Sequence, residues 1–328
     1  MSILVTGSAG HLGEAIMRSL RTQGRQAQGV DIKPSPFTNF VGSITDRSFI
    51  KQCMIGVQAV IHTATLHKPH IATHTYQDFI DTNISGTLAL LEEAVTAGVR
   101  SFIYTSTTST FGSALTPAED EPAAWITESV TPIPRNIYGV TKVAAENLCE
   151  LFARKQHLAA IVLRTSRFFP EADDDDAATS AKYRSAKEQA NELLYRRVDM
   201  EDVVSAHLQA VEKAQHIGFG RYIISATTPF TPDDLSMLRM DAPAVVRRLF
   251  PDYDSLFAKQ QWNMFPGIDR VYVNSRALED LELRPKYDFR YVLECIRAGR
   301  DFRSPLAREV GSKGYHDALF EHGPYPVE

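Results

Sequence analysis

The sequence predicts an α/β protein: a doubly wound parallel sheet with a smaller, interleaved C-terminal lobe. Two observations predict it. Short, branched apolar runs alternate through the first half with stretches whose apolar residues recur every three to four positions. A glycine-rich turn also sits between the first such run and the first helical stretch.

Ile3-Leu4-Val5 has the length and branching of a buried strand. Leu12, Ile16 and Leu20 then mark one face of a helix. Gly29 to Ile32 closes a second strand, and Ala59 to His62 is a third. Ile84, Leu88, Leu91 and Val95 predict a helix over 81–95. Ser101 to Thr105 is again a strand, Tyr138 to Phe152 a helix, and Ala160 to Leu163 a strand. Arg221 to Ser225 has the pattern of a late strand returning to the sheet.

After Arg164 the pattern changes. Residues 171–187 are polar, with an acidic run at Asp173–Asp176, and Pro229, Pro232, Pro243, Pro251, Pro266 and Pro285 punctuate the rest. The expected division is a sheet domain over 1–165 with a returning segment near 196–226, and a smaller lobe or lid from 166–195 and 227–328. The stretch from Ser304 to Glu328 has few apolar residues and is expected to drape over the surface.

Composition removes several function classes. A formal net charge of -5 offers no basic footprint for nucleic acid, and no polybasic segment suits a membrane surface. No apolar run is long enough to span a bilayer. Met1 leads at once into the first strand, so no secretory signal is expected. Cys53, Cys149 and Cys295 are far apart and form no CxxC pair, which argues against a disulfide framework or a zinc site. A reducing, cytoplasmic setting is expected, with a small-molecule substrate; a homodimer stays open.

The turn reads Thr6-Gly7-Ser-Ala-Gly10-His-Leu12-Gly13. Gly7 permits a tight turn, Gly10 a close approach to a pyrophosphate, and Gly13 tight helix-on-strand packing, with the anion at the helix N-terminus. A glycine triplet alone also fits an ordinary turn. Its place between strand and helix points to a Rossmann-type dinucleotide site. Asp31 follows at the end of the second strand, where a carboxylate accepts from the adenosine ribose hydroxyls and repels a 2′-phosphate. NAD is therefore the expected cofactor, with Lys33 nearby softening the preference over NADP.

Tyr138 and Lys142 stand at i and i+4 and so project from one helix face. A phenol is a poor base at neutral pH, and a neighbouring ammonium is expected to lower its pKa. Tyr138 would then take a hydroxyl proton while hydride leaves the adjacent carbon. An ordinary helical Tyr and a surface Lys remain the alternative. Thr105 to Gly112 follows a strand, and a hydroxyl there can hold a substrate oxygen or simply satisfy its own loop.

Together these segments resemble the extended short-chain dehydrogenase/reductases, in their NAD-dependent epimerase/dehydratase branch. The resemblance rests on Thr6 to Gly13, Asp31, Val60 to Ala64, Asn83 with Gly86-Thr87, Thr105 to Gly112, Tyr138 to Lys142 and Asp199 to Val204. It implies catalytic roles for Tyr138, Lys142 and Thr107. It implies cofactor contacts at Gly7, Gly10, Leu12, Gly13, Asp31, Ile32, Ser43, Ile44, Thr63, Ala64 and Thr105, with Asn83 in support, and no metal. It also implies an NAD-dependent epimerase or oxidoreductase acting at a carbinol of a sugar, nucleotide sugar or related polyol. A net sugar or sugar-acid dehydrogenase is the alternative. A non-enzymatic sensor or scaffold is a further one, although such members tend to lose the Tyr/Lys pair.

Departures from the family pattern bear on the substrate. Dehydratases of the family follow the catalytic Thr with Asp-Glu; here Thr108 and Ser109 follow, so sugar dehydration is not expected. Arg167 replaces a substrate-binding Asn, and Ser43-Ile44 replaces an adenine-contacting Asp-Ile. Both weigh against a UDP-sugar. Arg167 is expected in the substrate pocket against an anionic group, with pairing to Glu171 or the acidic run as the alternative. Arg196-Arg197 would meet the same anion or pair with Asp199 and Glu201. Among His67, His70 and His74, Pro69 interrupts any regular helix, and a substrate contact at His67 or His70 is favoured over a metal site.

Overall fold

The computed structural model describes residues 1–169 and 181–313. The acidic run Asp173–Asp176 and the chain beyond Lys313 lie outside the described residues.

Ile3, Leu4 and Val5 have no exposed surface, which places strand β1 (Ile3–Thr6) at the centre of the molecule. Burying each such side chain contributes about 1.5–3 kcal/mol. Helix α1 (His11–Thr22) follows, with Leu12, Ile16 and Leu20 turned inward. Strands β2 (Ala27–Asp31) and β3 (Phe40–Val41) come next, then α2 (Arg47–Cys53), whose N-cap Asp46 accepts from Phe49 N, and β4 (Ala59–His62). A short helix α3 (Tyr76–Phe79) runs through a π-helical turn, Ile80–Ser85, into α4 (Gly86–Thr96). The helix predicted over 81–95 is thus two pieces, with Asn83 in the widened turn.

Strand β5 (Ser101–Thr107) is followed by the short strand β6 (Ala124–Ile126) and by α5 (Ile137–Gln156), which Asn136 caps by accepting from Gly139 N. Next come β7 (Ala159–Thr165), α6 (Ala181–Glu192), α7 (Met200–Ile217), β8 (Phe219–Ile224) and, late in the chain, β9 (Arg270–Tyr272).

Seven strands form one parallel sheet in the order β3-β2-β1-β4-β5-β7-β8. Helices α1 and α7 cover one face through Ile16, Val203 and Ala210; α2, α4 and α5 cover the other through Ile50, Leu90 and Cys149. Such two-sided cover is why the strands read as continuous apolar runs. The connections leave β1 toward β2 and β3, then cross back to β4, so a crevice opens at the C-terminal ends of β1 and β4.

A third core gathers Leu194, Leu238, Val246, Phe257 and Phe289 in a distinct C-terminal helical region. Parallel pairing of β6 with β9 belongs to this region. Of the stretch from Ser304 that was expected to drape over the surface, the residues up to Lys313 are described. Their helix Pro305–Val310 buries Ala307 and Val310 against the face that α1 and α7 cover.

Candidate active site

The C-terminal ends of β1, β4, β5 and β7 open onto one cavity of about 900 Å³. At one end lies the β1–α1 turn. Gly7 has φ +75°, and a Cβ there would stand 2.7 Å from Thr63 Oγ1. A Cβ on Gly13 would stand 1.9 Å from the Gly7 carbonyl oxygen. Only glycine lets α1 begin this close to β1 and β4. No side chain caps that helix at Gly10.

Asp31 sits on the rim. Its Oδ2 accepts from Ala9 N and its Oδ1 from Lys33 N, both at 2.9 Å. Leu12, Ile32, Ser43 and Ile44 line the same end, and Thr63 and Ala64 line the wall beyond it. Behind that wall, His62 Nδ1 meets Thr6 Oγ1 at 2.7 Å and its Nε2 meets Thr87 Oγ1 at 3.0 Å. Burial pushes its pKa down to about 3, so the ring is neutral.

Asn83 is the one expected contact that does not line the cavity. Its Oδ1 accepts from Leu66 N at 2.8 Å and from Thr65 Oγ1 at 2.9 Å. Its Nδ2 donates to Leu66 O at 3.1 Å and to Thr141 Oγ1 at 3.0 Å. All its hydrogen-bonding capacity is spent inside the protein. It sutures the loop after β4 to α5.

Tyr138 and Lys142 reach the cavity from α5, and Thr105 and Thr107 from β5. Tyr138 is hydrogen-bonded to Thr107, and Thr107 Oγ1 accepts from Ser109 N at 3.1 Å. Lys142 Nζ donates to the Thr105 carbonyl at 2.6 Å and lies 4.3 Å from the centre of the Tyr104 ring. Thr105 Oγ1 is 2.8 Å from His207 Nε2, whose Nδ1 is bonded to Val203 O.

The expectation that Lys142 would pull the phenol down is corrected here. Burial pushes Tyr138 up to about 12, with the Thr107 bond opposing. Burial also pushes Lys142 down to about 7, with Glu146 opposing. Desolvation dominates because both groups are withdrawn from water.

Arg167 lines the far end, and its Nη1 donates to Glu192 Oε1 at 2.9 Å. Arg196 and Arg197 pair with the same carboxylate at 2.8 and 2.9 Å. Neither pairs with Asp199 or Glu201: Asp199 instead caps α7, accepting from Glu201 N. A buried carboxylate on the preceding helix lies closer to both guanidiniums.

His67 also lines the cavity, its ring centre 5.9 Å from that of Tyr138. Burial, helped by His70, holds its pKa well below the usual range. His70 and His74 line the same region. Among the described residues, no cluster of three His, Cys, Asp or Glu is placed to hold a metal ion.

Sequence reasoning missed Ser166, Phe168, Phe169, Tyr272 and Lys313 on the cavity wall. Ser166 and the two phenylalanines follow a strand end, a positional signal that their types do not sharpen. Tyr272 arrives on β9, stacked 5.9 Å from Phe111, with no local signal.

No helix among the described residues is long and apolar enough to cross a membrane. In solved structures, the chain is similar to a short-chain dehydrogenase/reductase superfamily protein from Agrobacterium tumefaciens with bound NAD. That match has a TM-score of 0.65 at 23% identity and covers 94% of this chain and 99% of that one. It is also similar to UDP-glucose 4-epimerase from Thermotoga maritima, with a TM-score of 0.62 at 24% identity, over 91% and 99%. At these identities the likeness concerns the fold.

Among curated proteins, UDP-glucose 4-epimerase of Erwinia amylovora is 30% identical over 173 residues, 47% of this chain and 49% of that protein. NAD-dependent glucose-6-phosphate dehydrogenase of Haloferax volcanii is 27% identical over 177 residues, 49% of this chain and 66% of that protein. The chain thus spans about half the length of the curated epimerase it matches. The profile of the NAD dependent epimerase/dehydratase family matches residues 3–224. With that span covering the sheet and the glycine turn, the chain belongs to the NAD dependent epimerase/dehydratase family, whose cofactor is NAD.

Proposed function

We propose that the chain is an NAD-dependent oxidoreductase acting at a carbinol of a sugar or sugar derivative. Tyr138 is the proton-transfer group, Lys142 its electrostatic partner, and Thr107 the hydroxyl that holds the substrate oxygen. One observation carries this reading: the three side chains converge from α5 and β5 on the wall of a cavity whose other end is the glycine turn and Asp31.

The residues present fit the cofactor. The turn has room only for glycine at Gly7 and Gly13, and the uncapped start of α1 suits a pyrophosphate. Asp31 would hold the adenosine ribose; Leu12, Ile32, Ser43 and Ile44 would surround the adenine end; Thr63, Ala64, Thr105 and Lys142 would line the nicotinamide half. Bound there, NAD supplies a hydride acceptor for the carbinol carbon. Tyr138 moves the hydroxyl proton, Lys142 places a positive charge beside the phenol, and Thr107 orients the oxygen. Asn83 holds the loop after β4 in register with α5. The cofactor half comprises 1–165 and 196–226, the substrate half 166–195 and 227–328.

Redox-neutral epimerisation is the preferred form of turnover. It is supported by the similarity to UDP-glucose 4-epimerases and by a Thr107 not followed by acidic residues. A second reading, net oxidation of an anionic sugar, is favoured by Arg167 and Arg196 at the cavity end. The test is a panel of sugars, sugar acids and nucleotide sugars with NAD, read at the NADH absorbance band and by product stereochemistry. An epimer without released NADH supports the first reading. Stoichiometric NADH with an oxidised product establishes the second. Neither outcome across the panel removes both.

A further inference from the structure

The buried carboxylate of Glu146 has no part in the chemistry above and does not line the cavity, yet its partner Ser106 does. Glu146 lies one helical turn beyond Lys142 on α5 and is 1% exposed. Ser106, between Thr105 and Thr107 on β5, donates to its Oε1 at 2.5 Å. Arg164 on β7 donates to both oxygens, with Nη2 2.7 Å from Oε2. Arg221 on β8 stands with Nε 3.3 Å from Oε2. One carboxylate therefore joins the helix that carries Tyr138 and Lys142 to three neighbouring strands, including the one that carries Thr107.

A buried carboxylate so held is costly unless paired, and here it is paired on its sheet side. Along its own helix it faces Lys142. The other titratable groups around Lys142 are Tyr138 and Cys149 on α5, Tyr104 on β5, His62 on β4 and His67 in the loop after it. Cys149 and Tyr104 are pushed up by burial, and His62 and His67 are pushed down, so all four are uncharged at neutral pH. Beside them stands the Glu146 carboxylate, paired with Arg164 and Arg221.

We propose that Glu146 is a positioning residue for the Tyr138–Lys142 pair: it fixes α5 against β5 and sets a carboxylate one helical turn from the Lys142 ammonium. The inference rests on the proposed roles of Tyr138 and Lys142. Burial alone drives Lys142 toward the neutral amine, and Glu146 works against that. Without it, Lys142 would lose its proton at lower pH.

The experiment follows the Lys142 amine directly. Full-length protein labelled with ¹⁵N at lysine Nζ is titrated by NMR without cofactor or substrate, with Lys142→Met identifying the signal. In Glu146→Gln the midpoint is expected to fall by about one pH unit or more, and Glu146→Asp to restore most of it. With an active substrate in hand, the loss of kcat at rising pH should begin correspondingly earlier in Glu146→Gln, with KM little changed.

A wild-type Lys142 midpoint in folded Glu146→Gln overturns the proposal, whatever its thermal stability. If that variant does not fold, the double variant Glu146→Gln with Arg164→Met removes the buried guanidinium whose carboxylate has been taken away and is held to the same expected fall. Because the titration needs no turnover, its failure is separate from failure of the proposed reaction.

Discussion

Lys142 donates from its ammonium to the backbone carbonyl of Thr105 at 2.6 Å, tying the second turn of α5 to the strand that ends in Thr107. The bond fixes the span between the phenol and the threonine hydroxyl. It also leaves the lysine buried, so that its charge depends on its few neighbours.

Tyr138→Phe is expected to lower kcat by about 10²–10⁴-fold, the usual worth of a positioned proton-transfer group. Only the bond to Thr107 is lost from the fold, about 1 kcal/mol. NAD affinity and Tm should stay near wild type. Steady-state kinetics with calorimetry checks this; retained kcat would mean another group moves the proton.

Lys142→Met should trade activity for stability. Burial lowers the folded-state pKa from 10.5 to about 7. Below that value the amine is charged in both folded and unfolded chains, and the cost of burying the charge is fully present. Between about 7 and 10.5 the unfolded chain binds a proton that the folded chain does not, so wild-type stability from this group rises with pH. The variant should melt several degrees higher than wild type at pH 6, with the gap closing toward pH 10. Thermal melts across that range decide it, and a variant less stable at pH 6 contradicts the assignment.

Asp31→Ser should narrow the preference for NAD over NADP by about tenfold, or 1.4 kcal/mol, by removing repulsion with a 2′-phosphate. Because Asp31 also accepts from Ala9 N in the glycine turn, NAD affinity should fall somewhat as well. Calorimetric titration of both cofactors measures this. Tighter NADP binding by the wild type would remove its basis.

Gly13→Ala and Gly10→Ala should separate chain packing from ligand space. A Cβ at Gly13 meets the Gly7 carbonyl at 1.9 Å, and a backbone atom cannot step aside. That variant should lose about 3 kcal/mol or fail to fold. At Gly10 the nearest atom is 3.2 Å away, so the variant should fold and bind NAD more weakly. Melting curves beside NAD titrations test both; a stable Gly13→Ala would show that α1 can move off β1.

The sheet was legible where burial on both faces produced unbroken apolar runs, as at Ile3–Val5, Ala59–His62 and Ala160–Leu163. β3 is only Phe40–Val41, too short to leave a pattern. β6 and β9 find each other across a long stretch of chain, and neither carries a signal of the other. The apolar stripe through Ile84 and Leu88 spoke for a helix, but periodicity does not register the π turn that brings Asn83 under the Leu66 loop.

The site followed the same rule. Gly7, Asp31, Tyr138 and Lys142 were legible as neighbours in one cavity because they sit in short motifs of fixed spacing. Glu192 and Tyr272 were not, because only the folded chain brings them to Arg167 and Phe111.

The reversal of strand order at β1 has a consequence for how such a protein changes its chemistry. A chain that winds outward to β3 and then crosses to β4 leaves a slot there as a by-product of its path. The slot needs no residue to excavate it and none can easily abolish it. What varies cheaply is the rim: the short segments beyond each strand, where Arg167 and Phe168 stand, and the lobe that brings Tyr272. A new substrate can therefore be accommodated by exchanging a few rim side chains while the interior sheet stays as it is.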